Sequence, residues 1–292
     1  MPLSKKDQIL MWLDAYPLAV GPLVFDRILD LAANNALGLS ESDASTFSAR
    51  YKKRYWGDYL QRNEDSRRRA IYPHSIVIDY DSRRFEALHS HILRANNKKA
   101  SRLAGRLQLR PSLHKMLNGL NDREYEALCC YACKLCGAKE VSLTPKGNEG
   151  GIDFFALFDV PQGYLNCTGL GKVRVVGQSK LHGSRIPVGH LRDFNDTLND
   201  VRKRSDSIVD LIPSWFKESS APIVGWFVSH AGFQEGSLSK ARANGVMLLD
   251  SRTLVEMMAF APTTSPGMCG TYLSQKVADS CKQMVRHYKC SE

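Results

Sequence analysis

Several things are missing from this chain. No uninterrupted apolar run approaches the ~20 residues that a membrane-spanning helix needs. The opening residues, MPLSKKDQILMWLD, lack a long apolar stretch leading to a small-residue cleavage site, so they do not read as a signal peptide and the expected location is cytoplasmic. Neither a Walker A motif nor a Gly-x-Ser-x-Gly elbow occurs. Gly169-Leu170-Gly171 lacks the third glycine of a dinucleotide fingerprint, because Arg174 stands in its place and no helix is expected after it. The eight cysteines form no two-pair zinc pattern. Cys130-x-x-Cys133-x-x-Cys136 is followed by no second Cys-x-x-Cys or spaced His pair, and the cluster Cys129–Cys136 falls on an expected helix, so core packing is the preferred reading over metal binding. Cys167, Cys269, Cys281 and Cys290 are scattered, as expected of reduced thiols.

What is present is positive charge, unevenly spread. The chain of 292 residues carries a net charge of +10. Residues 1–119 hold 20 Lys and Arg against 12 Asp and Glu, whereas residues 120–292 hold 20 against 18. Within 50–115 the ratio is 17 to 6. A basic segment gains affinity for a polyanion by releasing condensed counterions, which makes nucleic acid the natural partner, with a merely solvated basic surface as the bland alternative. Arg67, Arg68, Arg69, Lys98, Lys99 and Arg102 are the candidate phosphate contacts here, joined by Arg185 in the second half.

The chain is long enough for more than one domain. Residues 1–62 read as helical: Ile9, Leu10, Leu13 and Tyr16 form a first amphipathic run. Val24, Phe25, Ile28, Leu29 and Leu31 form a second. A third is capped near Ser40 and continues through Phe47, Tyr51, Tyr55 and Tyr59. Such a trio suits a helix-turn-helix DNA-binding module or a partner-docking bundle, and sequence leaves both open. Residues 63–119 read as a basic linker with a short strand at 76–80 and an amphipathic helical stretch over 82–109, ended by Pro111. From 120 to 261 helices and strands alternate, with strands expected at 139–144, 152–158, 172–180, 222–229 and 246–249, and helices at 121–135, 187–204, 236–243 and 251–260. The expected fold class is α/β, a mixed sheet with helices on both faces. Residues 159–171 read as a hairpin insertion, and 262–292 as a linker and a C-terminal helix.

The chemistry concentrates in two strands. Gly151-Ile152-Asp153 opens one, and Gln178-Ser179-Lys180 closes the next. Side chains alternate along a strand, so Gln178 and Lys180 share a face, and pairing of the two strands would bring Asp153 to meet them. A carboxylate, an amide oxygen and an ammonium in one place suit a hard divalent cation, with the lysine orienting a water for attack on phosphorus.

This arrangement resembles the PD-(D/E)xK nucleases in their Gln-x-Lys form, and more closely the Mrr-like restriction endonucleases. The resemblance spans about 120–258. Tyr125-Glu126 stands where that family has Phe-Glu on its opening helix. Cys136-Gly137-Ala138 resembles its glycine turn, and Glu149-Gly150-Gly151-Ile152-Asp153 its acid-Gly-Gly-Ile-Asp segment. The resemblance implies a restriction-endonuclease-like core and a metal-dependent endonuclease acting on DNA in restriction or anti-phage defence. Asp153, Gln178 and Glu126 would hold Mg2+ or Mn2+, and Lys180 would serve the attacking water. Glu124 is a fallback acid, and Glu149 is either a metal-adjacent acid or an exposed loop residue. Two further readings stay open: a catalytically silent or partner-activated nucleic-acid-binding subunit, and an RNA-directed or repair nuclease of the same fold. A homodimer and a defence-system partner protein are compatible with either.

Overall fold

The computed structural model describes residues 4–15, 23–68, 75–87, 97–146, 150–159 and 171–289. Arg69, Glu149 and nearly all of the 159–171 insertion lie outside them, and the side chains of Arg67 and Arg68 are not described. The chain divides into two compact units. One comprises Leu3–Lys115 with Ser265–Thr271; the other holds Met116–Thr264 and Tyr272–Glu292.

The first unit begins with a helix at Lys5–Ala15, a two-residue strand β1 (Leu23–Val24) and a helix at Phe25–Leu37. Gly38 ends that helix in the left-handed region (φ 68°), its N–H donating to the Asn34 carbonyl at 2.9 Å, a conformation that costs glycine little. A long helix, Glu41–Arg68, follows at once, with the Ser40 hydroxyl accepting from the Asp43 N–H. Strands β2 (Ser75–Asp79) and β3 (Arg84–Ala87) form an antiparallel hairpin, and β1 joins on the other edge of β3 to give the order β1-β3-β2. Phe25, Trp56, Tyr59 and Phe85 form an aromatic core, with Phe25 5.1 Å from Trp56 and Tyr59 5.5 Å from Phe85 between ring centroids. Arg83 binds Asp26 through two bonds of 2.7 Å and so ties the hairpin turn to the second helix.

Three expectations for this unit are corrected. The polar stretch read as a linker from residue 63 is helical through Arg68, because the long helix simply continues its backbone ladder. The helical stretch expected over 82–109 instead opens as strand β3. Phe85 is buried there and its neighbour Arg84 alternates outward, a period of two that the helical spacing of Phe85, Leu88 and Ile92 obscured. The next described helix is Lys98–Leu107, capped by the Asn97 side chain. Pro111 ends nothing: it sits in the first turn of a new helix, Arg110–Leu117, where its missing N–H has no intrahelical partner to lose.

The second unit is a five-stranded mixed sheet flanked by helices, in the order β4-β5-β6-β7-β8. Strands β4 (Ala138–Leu143), β5 (Phe154–Asp159) and β6 (Lys172–Lys180) run antiparallel to one another, while β7 (Ile223–Ser229) and β8 (Val246–Asp250) run parallel to β6. The parallel pairs require crossovers, and the helices Val188–Lys203 and Glu235–Ala243 supply them. Helix Val188–Lys203 covers one face through Leu191, Phe194 and Leu198, packed with Ile152, Phe155, Val176 and Phe227. Helix Asp122–Leu135 covers the other, resting on β4, β5 and β6. Its buried side includes Tyr125, Leu128, Cys129, Cys130 and Cys133, so these thiols pack in the core, and burial pushes the Cys130 thiol up to about 12. A capping box opens the helix: Asn121 Oδ1 accepts from the Glu124 N–H at 2.9 Å, and Glu124 Oε2 accepts from the Asn121 N–H at 3.1 Å. The fallback acid Glu124 is therefore engaged in the cap. Helices Ser251–Phe260 and Gly270–Lys289 complete the chain, and no described helix is long and apolar enough to cross a membrane.

Candidate active site

Asp153 immediately precedes β5 and is 1% exposed. Its backbone departs from the ladder: the Asp153 N–H donates to the Gly177 carbonyl at 2.8 Å, although the registered pair is Phe154 with Gly177. Ile152 and Phe155 both pack on the helix Val188–Lys203 side. Phe154 faces the other way, its ring lying across Gly177 where any β-carbon would come within 2.0 Å of it. The irregular pairing turns Asp153 to that second face as well. There Asp153 Oδ2 accepts from the Ser179 N–H and, at 2.9 Å, from the Ser179 hydroxyl. Thr144 holds the same turn, donating from its N–H and its hydroxyl to the Asp153 carbonyl at 2.9 and 3.0 Å.

Glu126 comes from helix Asp122–Leu135, which covers this face. Its charge and the burial of Asp153 push the Asp153 carboxyl up to about 7. Burial is the larger cause; the bonds from Ser179 and the charge of Lys180 pull the other way. Glu126 Oε2 accepts from Arg123 Nη1 at 2.6 Å, with both side chains largely shielded, and Arg123 also donates to the Thr144 carbonyl. Arg123, Thr144 and Ser179 thus brace the two acids from three elements.

Lys180 ends β6, its carbonyl accepting from the His230 N–H at 3.0 Å. His182 lies just beyond, 6.0 Å from His190 between ring centroids; burial, then the charges of His190 and Lys180, lower its pKa and favour neutral imidazole. Gln178 is buried, and strand alternation sends it to the face opposite Ser179. There its amide nitrogen lies 3.5 Å from where a β-carbon on Gly151 would stand, with Thr197 Oγ1 at 3.1 Å from the same point. The structure therefore brings Asp153 and Glu126 together on one face, with Lys180 near enough for its charge to act on Asp153. The expected meeting of Asp153 with Gln178 is corrected, because Gln178 lies on the other face against the Gly150-Gly151 turn that delivers Asp153. Both glycines have positive φ, 49° and 81°.

Sequence reasoning treated Ser179 as the spacer of Gln-x-Lys and passed over Arg123. The i,i+3 spacing of Arg123 and Glu126 was the available signal for the latter. Nothing in the sequence reported the local irregularity that turns Asp153 toward Ser179. Of the candidate phosphate contacts, Lys98, Lys99 and Arg102 are exposed on helix Lys98–Leu107, and Arg185 is exposed in the loop after β6.

An aspartate at the head of β5, a glutamate on the helix Asp122–Leu135 and a lysine at the end of β6, on a mixed sheet between helices, coincide with a match to a family model. Residues 117–258 match the Mrr catalytic family, described as a restriction endonuclease. These residues are an Mrr-like restriction endonuclease domain. A solved structure, "MspJI Restriction Endonuclease in Complex with 27-mer Oligonucleotide", resembles the chain at a TM-score of 0.37 and 15% identity, over 63% of this chain and 36% of that one. The chain therefore spans about a third of that protein's length. None of the curated proteins matches.

The residues of the endonuclease domain fit a hard divalent cation. Two carboxylates stand close enough for one to raise the pKa of the other, a repulsion that a cation between them would relieve, and their oxygens are the donors such an ion takes. Among the described residues no cluster of three or more His, Cys, Asp or Glu is poised to hold a metal.

Proposed function

We propose that this chain is a metal-dependent endonuclease that hydrolyses phosphodiester bonds of DNA, in restriction or anti-phage defence. The observation that carries the reading is the buried Asp153 carboxyl at the head of β5, on which the charges of Glu126 and Lys180 both act, within the domain matched to restriction endonucleases. The description of that family supports DNA as the substrate and a defensive role.

Hydrolysis forms a bond from water oxygen to phosphorus and breaks the bond from phosphorus to the leaving ester oxygen. Asp153 and Glu126 would hold Mg2+ or Mn2+; Gln178, on the opposite face of β6, would support the Gly150-Gly151 turn that delivers Asp153. When bound, the ion would neutralise charge on the phosphate and lower the pKa of a coordinated water. Ser179 fixes one oxygen of Asp153, leaving the other for a ligand. Lys180 offers a cation that can orient the attacking water and offset the negative charge that grows on phosphorus. Arg185, Lys98, Lys99 and Arg102 are proposed to hold phosphates away from the scissile bond.

The Arg123–Glu126 ion pair supports a second reading, in which a partner or ligand must first draw Arg123 off the acid before the site can act. Plasmid cleavage by the purified chain, with magnesium or manganese against EDTA, tests the first reading. Cleavage that persists in EDTA, or in the Asp153→Ala protein, would refute the proposed site. A chain that cleaves only after a partner or phage extract is added would favour the second.

A further inference from the structure

The first unit carries a surface that the endonuclease site does not use. The order of its first described elements is helix, strand, two helices joined by a tight glycine turn at Gly38, then a hairpin whose second strand pairs with the first strand. The helix after the turn, Glu41–Arg68, has two unlike sides. Tyr55, Trp56 and Tyr59 are buried against the helix Phe25–Leu37, with Phe47 and Tyr51 half-buried beside them. Those aromatic contacts fix the roll of the helix and so decide what faces outward.

Arg50, Lys53, Arg54 and Gly57 face outward, at positions i, i+3, i+4 and i+7 of one stripe. From Ala44 to Gly57 the chain holds four cations and no acid. Lys52, the fourth, lies off the stripe and pairs with Asp26 at 3.3 Å. Among the described residues no carboxylate pairs with Arg50, Lys53 or Arg54; the Arg50 guanidinium lies over the Tyr51 ring at 5.3 Å. Three unneutralised cations therefore line the stripe.

Gly57 is the second observation. Apart from proline, glycine is the poorest residue for a helix interior. Gly57 is helical, and a β-carbon built on it would meet nothing within 4 Å. Neither packing nor backbone conformation in the free protein asks for glycine there. A surface that comes close to the helix backbone does ask for it.

We propose that the stripe Arg50–Lys53–Arg54–Gly57 docks a DNA duplex through its phosphate backbone, with Gly57 as the point of closest approach. Charge selects a polyanion, and the bare backbone at Gly57 admits a phosphate that a side chain would hold off. Glu41 and Asp43 occupy the first turn of the helix, with Asp43 bound to Ser40, so the contact lies along the middle of the helix rather than at its tip. This inference rests on nucleic acid being the partner, but not on cleavage.

The test measures binding of the full chain to a short DNA duplex in EDTA, at several salt concentrations, for wild type, Gly57→Ala, Gly57→Leu and the triple variant Arg50→Gln/Lys53→Gln/Arg54→Gln. Gly57→Ala and Gly57→Leu should unfold no earlier than wild type, since both residues favour helix. Gly57→Leu should nevertheless bind about ten-fold or more weakly. The triple variant should flatten the slope of log affinity against log salt by about 3, close to 0.9 for each phosphate released. Wild-type affinity in Gly57→Leu with an unchanged slope in the triple variant would overturn the proposal. So would a Gly57→Leu that splits a dimer in sedimentation without touching duplex affinity, which would make the face an interface between copies. Binding confined to an RNA hairpin would overturn it too. A chain that never cuts DNA but shows these losses would uphold the stripe and sink the nuclease reading; a chain that cuts while both variants bind normally would do the reverse.

Discussion

Replacing Asp153 with Asn removes a charge and little else. The asparagine oxygen can still accept from the Ser179 N–H and hydroxyl, which bind Asp153 Oδ2. What disappears is the cost of ionising a carboxyl that is 1% exposed and faces Glu126. Burial and Glu126 move that carboxyl from 3.8 to about 7. At ~1.36 kcal/mol for each pKa unit, ionisation would cost the folded state about 4 kcal/mol, a ceiling that relaxation or entering water would lower to about 2–4. The pH window follows from the raised value. Below pH ~4 folded and unfolded chains both keep the proton and no penalty arises. Between about 4 and 7 the unfolded chain releases it while the folded chain holds it, so stability falls as pH rises. Above about 7 both are ionised and the loss is complete. In EDTA, Asp153→Asn should therefore match wild type at pH ~3 and exceed it by about 2–4 kcal/mol at pH 8. Hydrogen exchange of the amides of β5 and β6 reads this unit by itself, which a global melt of a two-unit chain would not. Saturating magnesium should narrow the gap by stabilising wild type alone. An equal gap at both pH values would show that Asp153 is neither desolvated nor repelled as described.

Other perturbations separate chemistry from packing. Lys180→Ala should remove cleavage while leaving most DNA binding in a gel shift, since one lysine is a small share of the basic surface; a parallel loss of binding and folding would make it structural. Arg123→Met should lower stability at pH 8 by about 1–3 kcal/mol, because it strips the 2.6 Å partner from Glu126 and leaves two acids facing each other, a loss that chemical denaturation would register. Gly177→Ala should cost about 2–4 kcal/mol, because its methyl would lie 2.0 Å from the buried Phe154 ring; a variant as stable as wild type would contradict the packing. Cys129, Cys130 and Cys133 should resist a thiol reagent at pH 8 until the chain unfolds, whereas exposed Cys269 should label in the native state.

The endonuclease half was legible because its signals are local. Asn121 and Glu124 announce a capping box three residues apart, and the helix begins where they place it. Apolar runs of strand length, separated by helical stretches, put β6 at 172–180 and a helix at 251–260, as expected from the sequence. The basic half misled where two periodicities overlapped. Phe85 fits a helical spacing and an alternating one, and only pairing of β3 with β1 and β2 decides between them. Pro111 likewise marks a helix boundary without saying on which side the helix lies.

At the site, the sequence by itself determined which residues are available: an aspartate at the head of one strand, a lysine at the end of the next, and an acid on the opening helix. Alternation along β6 follows from the pleat and required no tertiary knowledge. Tertiary structure alone decided the partners. The departure from regular pairing at Asp153 turns its carboxylate toward Ser179 and the opening helix, against the alternation that would have faced it to Gln178. The carboxyl pKa of about 7 is also beyond the sequence, since desolvation and repulsion depend on which groups meet in space, here Asp153 and Glu126 from elements 27 positions apart in the chain.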